Sequence, residues 1–234
     1  MSTQYALVTG ANKGIGLEIV RQLAEQDYHV FLAARDEANG QSAVASLASD
    51  KVTFVQLDVT DPASIEHAKQ QILAVTDRLD LLINNAGIAL DFGQTPITVD
   101  VDVLRQIFDV NYFGTFQVTQ SFYPLLSNGK IINVTTDMSS QTSFDEGRIH
   151  PLNVLGYNSS KTALNAITLS LGKQFQDNGP EIFGVTPGFT STDLNGNAPG
   201  GKTTAEGAAV IVRYALEETN YNGKILNDQG IMPW

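Results

Sequence analysis

The sequence predicts an α/β fold, a parallel sheet covered by helices on both faces. Short β-rich runs alternate strictly with helical patterns along the whole chain, and such alternation gives parallel strands joined by helical crossovers. The runs are also apolar and often β-branched, as strands buried on both faces are. Strand candidates fall at 4–9, 29–34, 52–57, 81–84, 130–135, 181–186 and 224–226. Helix candidates fall at 15–26, 37–48, 62–76, 100–126, 155–177 and 204–219. Asp61 before Pro62 supplies an N-cap with proline at the first helical position. Thr203 with Glu206 forms a capping box for the last helix. Three stretches are less regular: 88–98, 137–153 and 188–203. The last is rich in Gly, Asn, Pro and Thr and reads as a mobile substrate loop. All three follow strand ends, where open parallel sheets bind ligands, so they are candidate walls of one cleft.

The 234 residues suit a single domain, 1–234. An apolar content of 42% supports a substantial core, and 17% charged residues argue against global disorder. The absence of cysteine excludes disulfides, thiolate metal sites and cysteine nucleophiles. The three histidines, His29, His67 and His150, show no metal-ligand spacing, so no metal is expected. The N-terminus lacks the basic start and long apolar run of a signal peptide. No run approaches the roughly 18–20 apolar residues a membrane span needs. The expectation is a soluble cytoplasmic protein. A net charge of −11 opposes binding to nucleic acid.

The first strand runs into Thr9-Gly10-Ala11-Asn12-Lys13-Gly14-Ile15-Gly16 and then a helix. Glycines there permit a tight turn and close approach of backbone to a pyrophosphate, which a helix N-terminus attracts. A purely structural turn would also use glycine, but the first βα unit is where a dinucleotide turn belongs. The second strand ends in Ala34, followed by Arg35 and Asp36. Where an NAD site places an acid, Arg35 offers a planar fork to a 2′-phosphate, and Lys13 could reach the same group. The plainer reading is two surface cations, with Asp36 neutralising Arg35. In so acidic a chain the pattern favours NADP(H). Asp58 and Val59 end the third strand and could meet an adenine, or simply precede the Asp61 cap. Asn84-Asn85-Ala86-Gly87 could let a cofactor pack closely, or be a plain turn.

In Tyr157-Asn158-Ser159-Ser160-Lys161, Tyr157 and Lys161 share one helix face. A phenol titrates near 10, too high for acid–base work at neutral pH, and a neighbouring ammonium lowers it toward a useful range. Alone, the pair would read as a surface Tyr and Lys.

Glycine turn, double asparagine and Tyr/Lys pair, in this order over nearly the whole chain, resemble the short-chain dehydrogenase/reductase family. Ala-Asn-Lys-Gly-Ile-Gly-Leu at 11–17, Ala-Arg-Asp at 34–36 and the terminal Trp234 are similar to its carbonyl-reductase branch. The resemblance implies a Rossmann-type, doubly wound sheet of seven parallel strands. It implies catalytic roles for Tyr157, Lys161 and Asn111, the asparagine that disturbs a helix and holds a water beside the lysine. The family's fourth catalytic residue, a serine after the fifth strand, falls on Thr136. Threonine keeps the hydroxyl but stiffens χ1, and Ser139 is the alternative. Cofactor contacts are implied at Gly10, Asn12, Lys13, Gly14, Ile15, Gly16, Arg35, Asp58, Val59, Asn85, Ala86, Gly87, Tyr157 and Lys161. Further contacts are implied at Pro187, Gly188, Thr190 and Thr192 after the sixth strand.

The segment from Thr136 to Tyr157 is longer than in compact members, with Phe144, Arg148 and His150 among the extra residues, yet lacks the large insertion of monomeric carbonyl reductases. Phe92, Met138, Phe144, Phe189, Leu194 and Trp234 could line an apolar pocket, with Thr136 and Ser139 at the reacting carbonyl. Phe113, Phe116, Phe122 and Tyr123 on the 100–126 helix read as core or subunit contact; the resemblance implies that this helix and the Tyr157 helix form a dimer interface, so a homodimer or homotetramer is expected.

The function that follows is NADP(H)-dependent interconversion of a hydrophobic ketone or aldehyde with its alcohol. A catalytically weak NADP-binding regulator on the same fold is the second reading; such proteins lose the tyrosine or lysine, and both are present here. Residues 196–203 fit the P-loop pattern G-x-x-x-x-G-K-[ST]. They start ten residues after the strand ending at Thr186, whereas a P-loop follows its strand directly, so they read as substrate loop running into a helix cap.

Overall fold

In the computed structural model, which describes residues 3–148, 152–218 and 220–234, the alternation is realised element for element. The strands are β1 (Gln4–Val8), β2 (Tyr28–Ala34), β3 (Val52–Gln56), β4 (Leu81–Asn84), β5 (Lys130–Val134), β6 (Glu181–Val185) and β7 (Ile225–Asn227). They pair in parallel in the order β3-β2-β1-β4-β5-β6-β7. The order reverses between β1 and β4, so the glycine turn after β1 and residues 85–87 after β4 flank the crevice where such sheets bind ligands. One strand was not foreseen. β8 (Gly230–Ile231) returns antiparallel to β7, and two residues are too few to show any periodicity.

The helices are α1 (Gly14–Glu25), α2 (Glu37–Leu47), α3 (Pro62–Leu73), α4 (Val101–Phe108), α5 (Thr115–Phe122), α6 (Gln141–Asp145), α7 (Leu155–Phe175) and α8 (Thr204–Leu216). Neighbouring strand residues feed opposite faces. Ala6, Val8 and Ile83 pack with Ile19, Leu23 and Ile211 of α1 and α8. Leu7, Leu82 and Ile131 pack with Ile65, Ile72 and Phe122 of α3 and α5. Burial on both faces is why the strands read as unbroken apolar runs. The expected caps form: Asp61 accepts from Ala63 N at 2.9 Å, and Thr203 and Glu206 bond reciprocally.

Three stretches differ from expectation. The helix expected over 100–126 is α4, a π-helical segment at Asp109–Gly114, α5, and a 3-10 turn at Tyr123–Leu125 around Pro124. The irregular stretch after β5 holds a 3-10 turn, Asp137–Ser139, and α6. The loop after β6 closes on itself through a bridge between Thr190 and Lys202 and carries a 3-10 turn at Asp193–Asn195. His150 and the expected end of the last helix at Thr219 lie outside the described residues. Among those described, no helix is long and apolar enough to cross a membrane.

Candidate active site

The helix carrying Tyr157 starts without a local cap, because Val154 at its N-cap has no polar side chain. Its free N–H groups need another acceptor. Asp91, in the loop after β4 and 1% exposed, provides one. Its Oδ2 accepts from Gly156 N at 2.6 Å and from Tyr157 N at 3.4 Å. A β-carbon at Gly156 would stand 2.8 Å from both Leu104 and Ile107 of α4, so the absence of a side chain lets loop, α4 and α7 meet where Tyr157 emerges.

Tyr157 and Lys161 lie one turn apart and both are buried. Burial pushes the Tyr157 phenol up to about 12, against the opposing pull of a hydrogen bond with the Thr136 side chain. Burial also brings the Lys161 ammonium down to about 8. The expectation that Lys161 governs the phenol by lowering its pKa is therefore corrected. In the protein alone, exclusion from water sets both groups, and Lys161 Nζ donates instead to Val134 O at the end of β5, at 2.8 Å. At neutral pH Tyr157 holds its proton and Lys161 is mostly charged.

Asn111 sits fully buried in the π-helical segment. Its Oδ1 accepts from Ile88 N at 2.8 Å, and its Nδ2 donates to Ile88 O at 2.9 Å and to Ser160 Oγ at 3.0 Å. Ser160 Oγ in turn donates to Tyr157 O at 2.8 Å. A β-carbon at Gly87 would be 3.3 Å from both Asn111 Oδ1 and Lys161 Nζ, so the two side chains converge over that glycine.

The two candidate hydroxyls part company. Thr136 is partly exposed and bonds Tyr157. Ser139 is 2% exposed. Its Oγ donates to Thr136 O at 2.5 Å and accepts from Asn165 Nδ2 at 2.8 Å, while Thr135 Oγ1 donates to Asn165 Oδ1 at 2.9 Å. Ser139 thus belongs to a closed network beneath the site.

At the other end of the crevice, Gly10 adopts φ 61, and a β-carbon there would stand 2.7 Å from Ala86 Cα. The Asn85 side chain fastens the turn, donating to Thr9 O and Gly10 O at 3.0 Å each. It faces the turn rather than the crevice. α1 begins behind Lys13, whose side chain offers no acceptor to the first N–H groups. Lys13 is paired with Asp193 at 2.9 Å, both well exposed. Asp36 caps α2 through Asn39 N at 2.8 Å instead of neutralising Arg35, and among the described residues Arg35 pairs with no carboxylate. Asp58 Oδ1 accepts from Thr60 N and Oγ1, closing a turn, and Val59 packs against Gly114. In the loop after β6, the Thr190 hydroxyl donates to Gly188 O at 3.1 Å, and Thr192 N donates to Asn195 Oδ1 at 3.0 Å.

The family profile described as short chain dehydrogenase matches residues 4–202. The chain belongs to the short-chain dehydrogenase/reductase family. (+)-Neomenthol dehydrogenase of Arabidopsis thaliana is 32% identical, with 91% of each chain covered. The NADPH carbonyl reductase 1 of Mus musculus is 30% identical over 100% of this chain and 99% of its own. That alignment runs over 278 positions, so the mouse reductase carries stretches absent from these 234 residues. Among solved structures, the NADPH-bound carbonyl reductase from chicken fatty liver superposes with a TM-score of 0.87 at 27% identity, covering 100% of both chains.

Within this short-chain dehydrogenase/reductase, sequence reasoning missed Asp91 and Ser160. The signal for Asp91 was negative, a helix start with no capping residue nearby, and only the fold says which distant group fills it. The apolar residues expected around the substrate are spread out. Phe92 and Met138 are partly buried, while Phe144, Phe189, Leu194 and Trp234 are exposed by 38–50%. A separate cavity of about 430 Å³ beside Thr136 is lined by Asp137, Ser143, Asn227, Asp228 and Met232 among others, and by none of those six.

Proposed function

We propose that this chain is an NADP(H)-dependent carbonyl reductase, interconverting a ketone or aldehyde with its alcohol. The observation that carries this is the buried Tyr157 phenol, still protonated at neutral pH, bonded to the Thr136 hydroxyl and one turn from the Lys161 ammonium.

The residues present fit a dinucleotide phosphate. The turn at Gly10, Asn12, Gly14, Ile15 and Gly16 leads into the uncapped N-terminus of α1, and the space around Gly14 is open. Arg35, free of a carboxylate partner among the described residues, would take the 2′-phosphate, with Lys13 exchanging Asp193 for the same group. Asp58 and Val59 would lie at the adenine, Ala86 and Gly87 beside the nicotinamide ribose, and Pro187, Gly188, Thr190 and Thr192 along the carboxamide. When bound, NADPH supplies the hydride.

The rest is work for the chain's own side chains. Reduction places a proton on the carbonyl oxygen, and Tyr157 holds that proton. Thr136 polarises the oxygen as charge develops on it. Lys161 would hold the ribose and keeps a positive charge one helical turn from the phenol, and Asn111, bonded to Ile88 and Ser160, would support proton resupply beside the lysine. Phe92, Phe144, Phe189, Leu194 and Trp234 would meet an apolar carbonyl compound. Exposed Val101, Phe113, Phe116 and Tyr123 support a homodimer or homotetramer through the stretch from α4 to the 3-10 turn after α5.

NADPH oxidation followed against a panel of ketones and aldehydes tests the proposal. Tyr157→Phe should lose about 10²–10⁴-fold in turnover while its NADPH affinity holds. Undiminished turnover in that variant, or tighter binding of NADH than NADPH by the wild type, would refute the respective part.

A further inference from the structure

The lysine of the P-loop-like motif, Lys202, has a different occupation. Lys202 Nζ donates to Pro187 O at 3.1 Å and to Asp228 Oδ2 at 2.8 Å. Its stem runs against Gly188, where a β-carbon would stand 3.0 Å from Nζ and 3.5 Å from Cε. Its backbone is tied to the same segment: Lys202 N donates to Phe189 O at 2.8 Å, and Ser191 N donates to Lys202 O at 3.0 Å. Asp228 sits in the turn between β7 and β8, the hairpin that sequence patterning did not foresee. Asp137, next to Thr136, bonds Thr186 and lies in the field of both Lys202 and Asp228.

We propose that Lys202 is a positioning residue that sets the Pro187-Gly188 turn against the nicotinamide end of the cofactor, with Asp228 holding the lysine in place. This rests on the NADP(H) reading above. A carbonyl that accepts a hydrogen bond from an ammonium is held against rotation, which biases the Pro187-Gly188 turn toward one conformation. Gly188, at φ 76, is the residue that lets the lysine pass beneath. The Lys202–Asp228 ion pair thereby couples the C-terminal hairpin to the Pro187-Gly188 turn, beside the hydrogen bond that Thr186 N donates to Leu226 O at 2.8 Å.

The test compares two ligands by calorimetry: NADPH, and 2′-phospho-ADP-ribose, which lacks the nicotinamide. In Lys202→Met the Kd for NADPH should rise about tenfold, a loss of about 1.4 kcal/mol, while the Kd for 2′-phospho-ADP-ribose stays unchanged. Lys202→Arg should restore NADPH binding, and Asp228→Asn should weaken it in the same selective way. Should Lys202→Met fail to fold by circular dichroism, the Asp228→Asn and Lys202→Arg measurements decide. Equal weakening of both ligands, or of neither, overturns the proposal. So does ATP binding that the wild type shows and Lys202→Met loses. A wild type that binds no NADPH at all defeats the cofactor reading instead.

Discussion

Thr136 and Ser139 are three residues apart, carry the same functional group, and stand in different surroundings. Thr136 bonds the phenol of Tyr157 at the crevice, whereas Ser139 bonds Asn165 and the Thr136 carbonyl in the interior. Their substitutions should therefore separate. Thr136→Ala is expected to lower kcat by about 10²–10³-fold, the usual effect of removing one donor to a developing oxyanion, and Thr136→Ser to keep most of it. Ser139→Ala leaves Asn165 Nδ2 unpaired in the interior and should cost about 1–3 kcal/mol of stability with kcat little changed. Steady-state kinetics and urea denaturation of the three variants check this; a collapse of kcat in Ser139→Ala with wild-type stability would reverse the roles.

At the scale of elements, the active site is a junction of three: the loop after β4, the π-helical segment between α4 and α5, and the first turn of α7. Asp91 and Asn111 are its rivets, one bonded to Gly156 and Tyr157, the other to Ile88 and Ser160. Asp91→Ala uncaps a buried helix start and should cost about 1–2 kcal/mol, read as a lower midpoint in thermal melts. Because that helix start carries Tyr157, kcat should fall more than NADPH affinity does. Asp91→Asn keeps an acceptor and should recover much of the loss. An Asp91→Ala variant with unaltered melting and kcat would show that α7 finds its cap elsewhere.

The whole molecule should register the buried Lys161 and Tyr157 in the pH dependence of its stability. Lys161 falls from an ordinary 10.5 to about 8 on folding. Between those values the unfolded chain binds a proton that the folded chain lacks, so stability rises with pH through that window. Tyr157 rises from 10.0 to about 12. Across that range the folded chain holds the extra proton, and stability falls as pH rises. Each full swing is worth about 3 kcal/mol, at 1.36 kcal/mol per unit. Denaturant titrations of the ligand-free protein from pH 7.5 to 11.5 should show the rise flattened in Lys161→Met and the fall removed in Tyr157→Phe. Parallel curves for wild type and Lys161→Met would mean that the lysine reaches water in the folded state.

The strand and helix order, the glycine turn, the caps at Asp61 and Thr203 and the Tyr157/Lys161 pair were legible because each is local. They depend on hydrophobic period, on turn chemistry or on a spacing of four within one helix, and a linear chain displays all of these directly. The break at Asn111 was legible only through family resemblance, since nothing in the residues around it marks a π-helical segment. Other features needed the tertiary structure. The two-residue β8, the Asp91 cap reaching across 65 positions, the choice of Thr136 over Ser139 and the Lys202–Asp228 pair are long-range. So are the pKa values of Tyr157 and Lys161. The sequence places an ammonium beside a phenol and so predicts a lowered pKa. Burial, which only the folded chain determines, penalises the phenolate more than the Thr136 hydrogen bond relieves it.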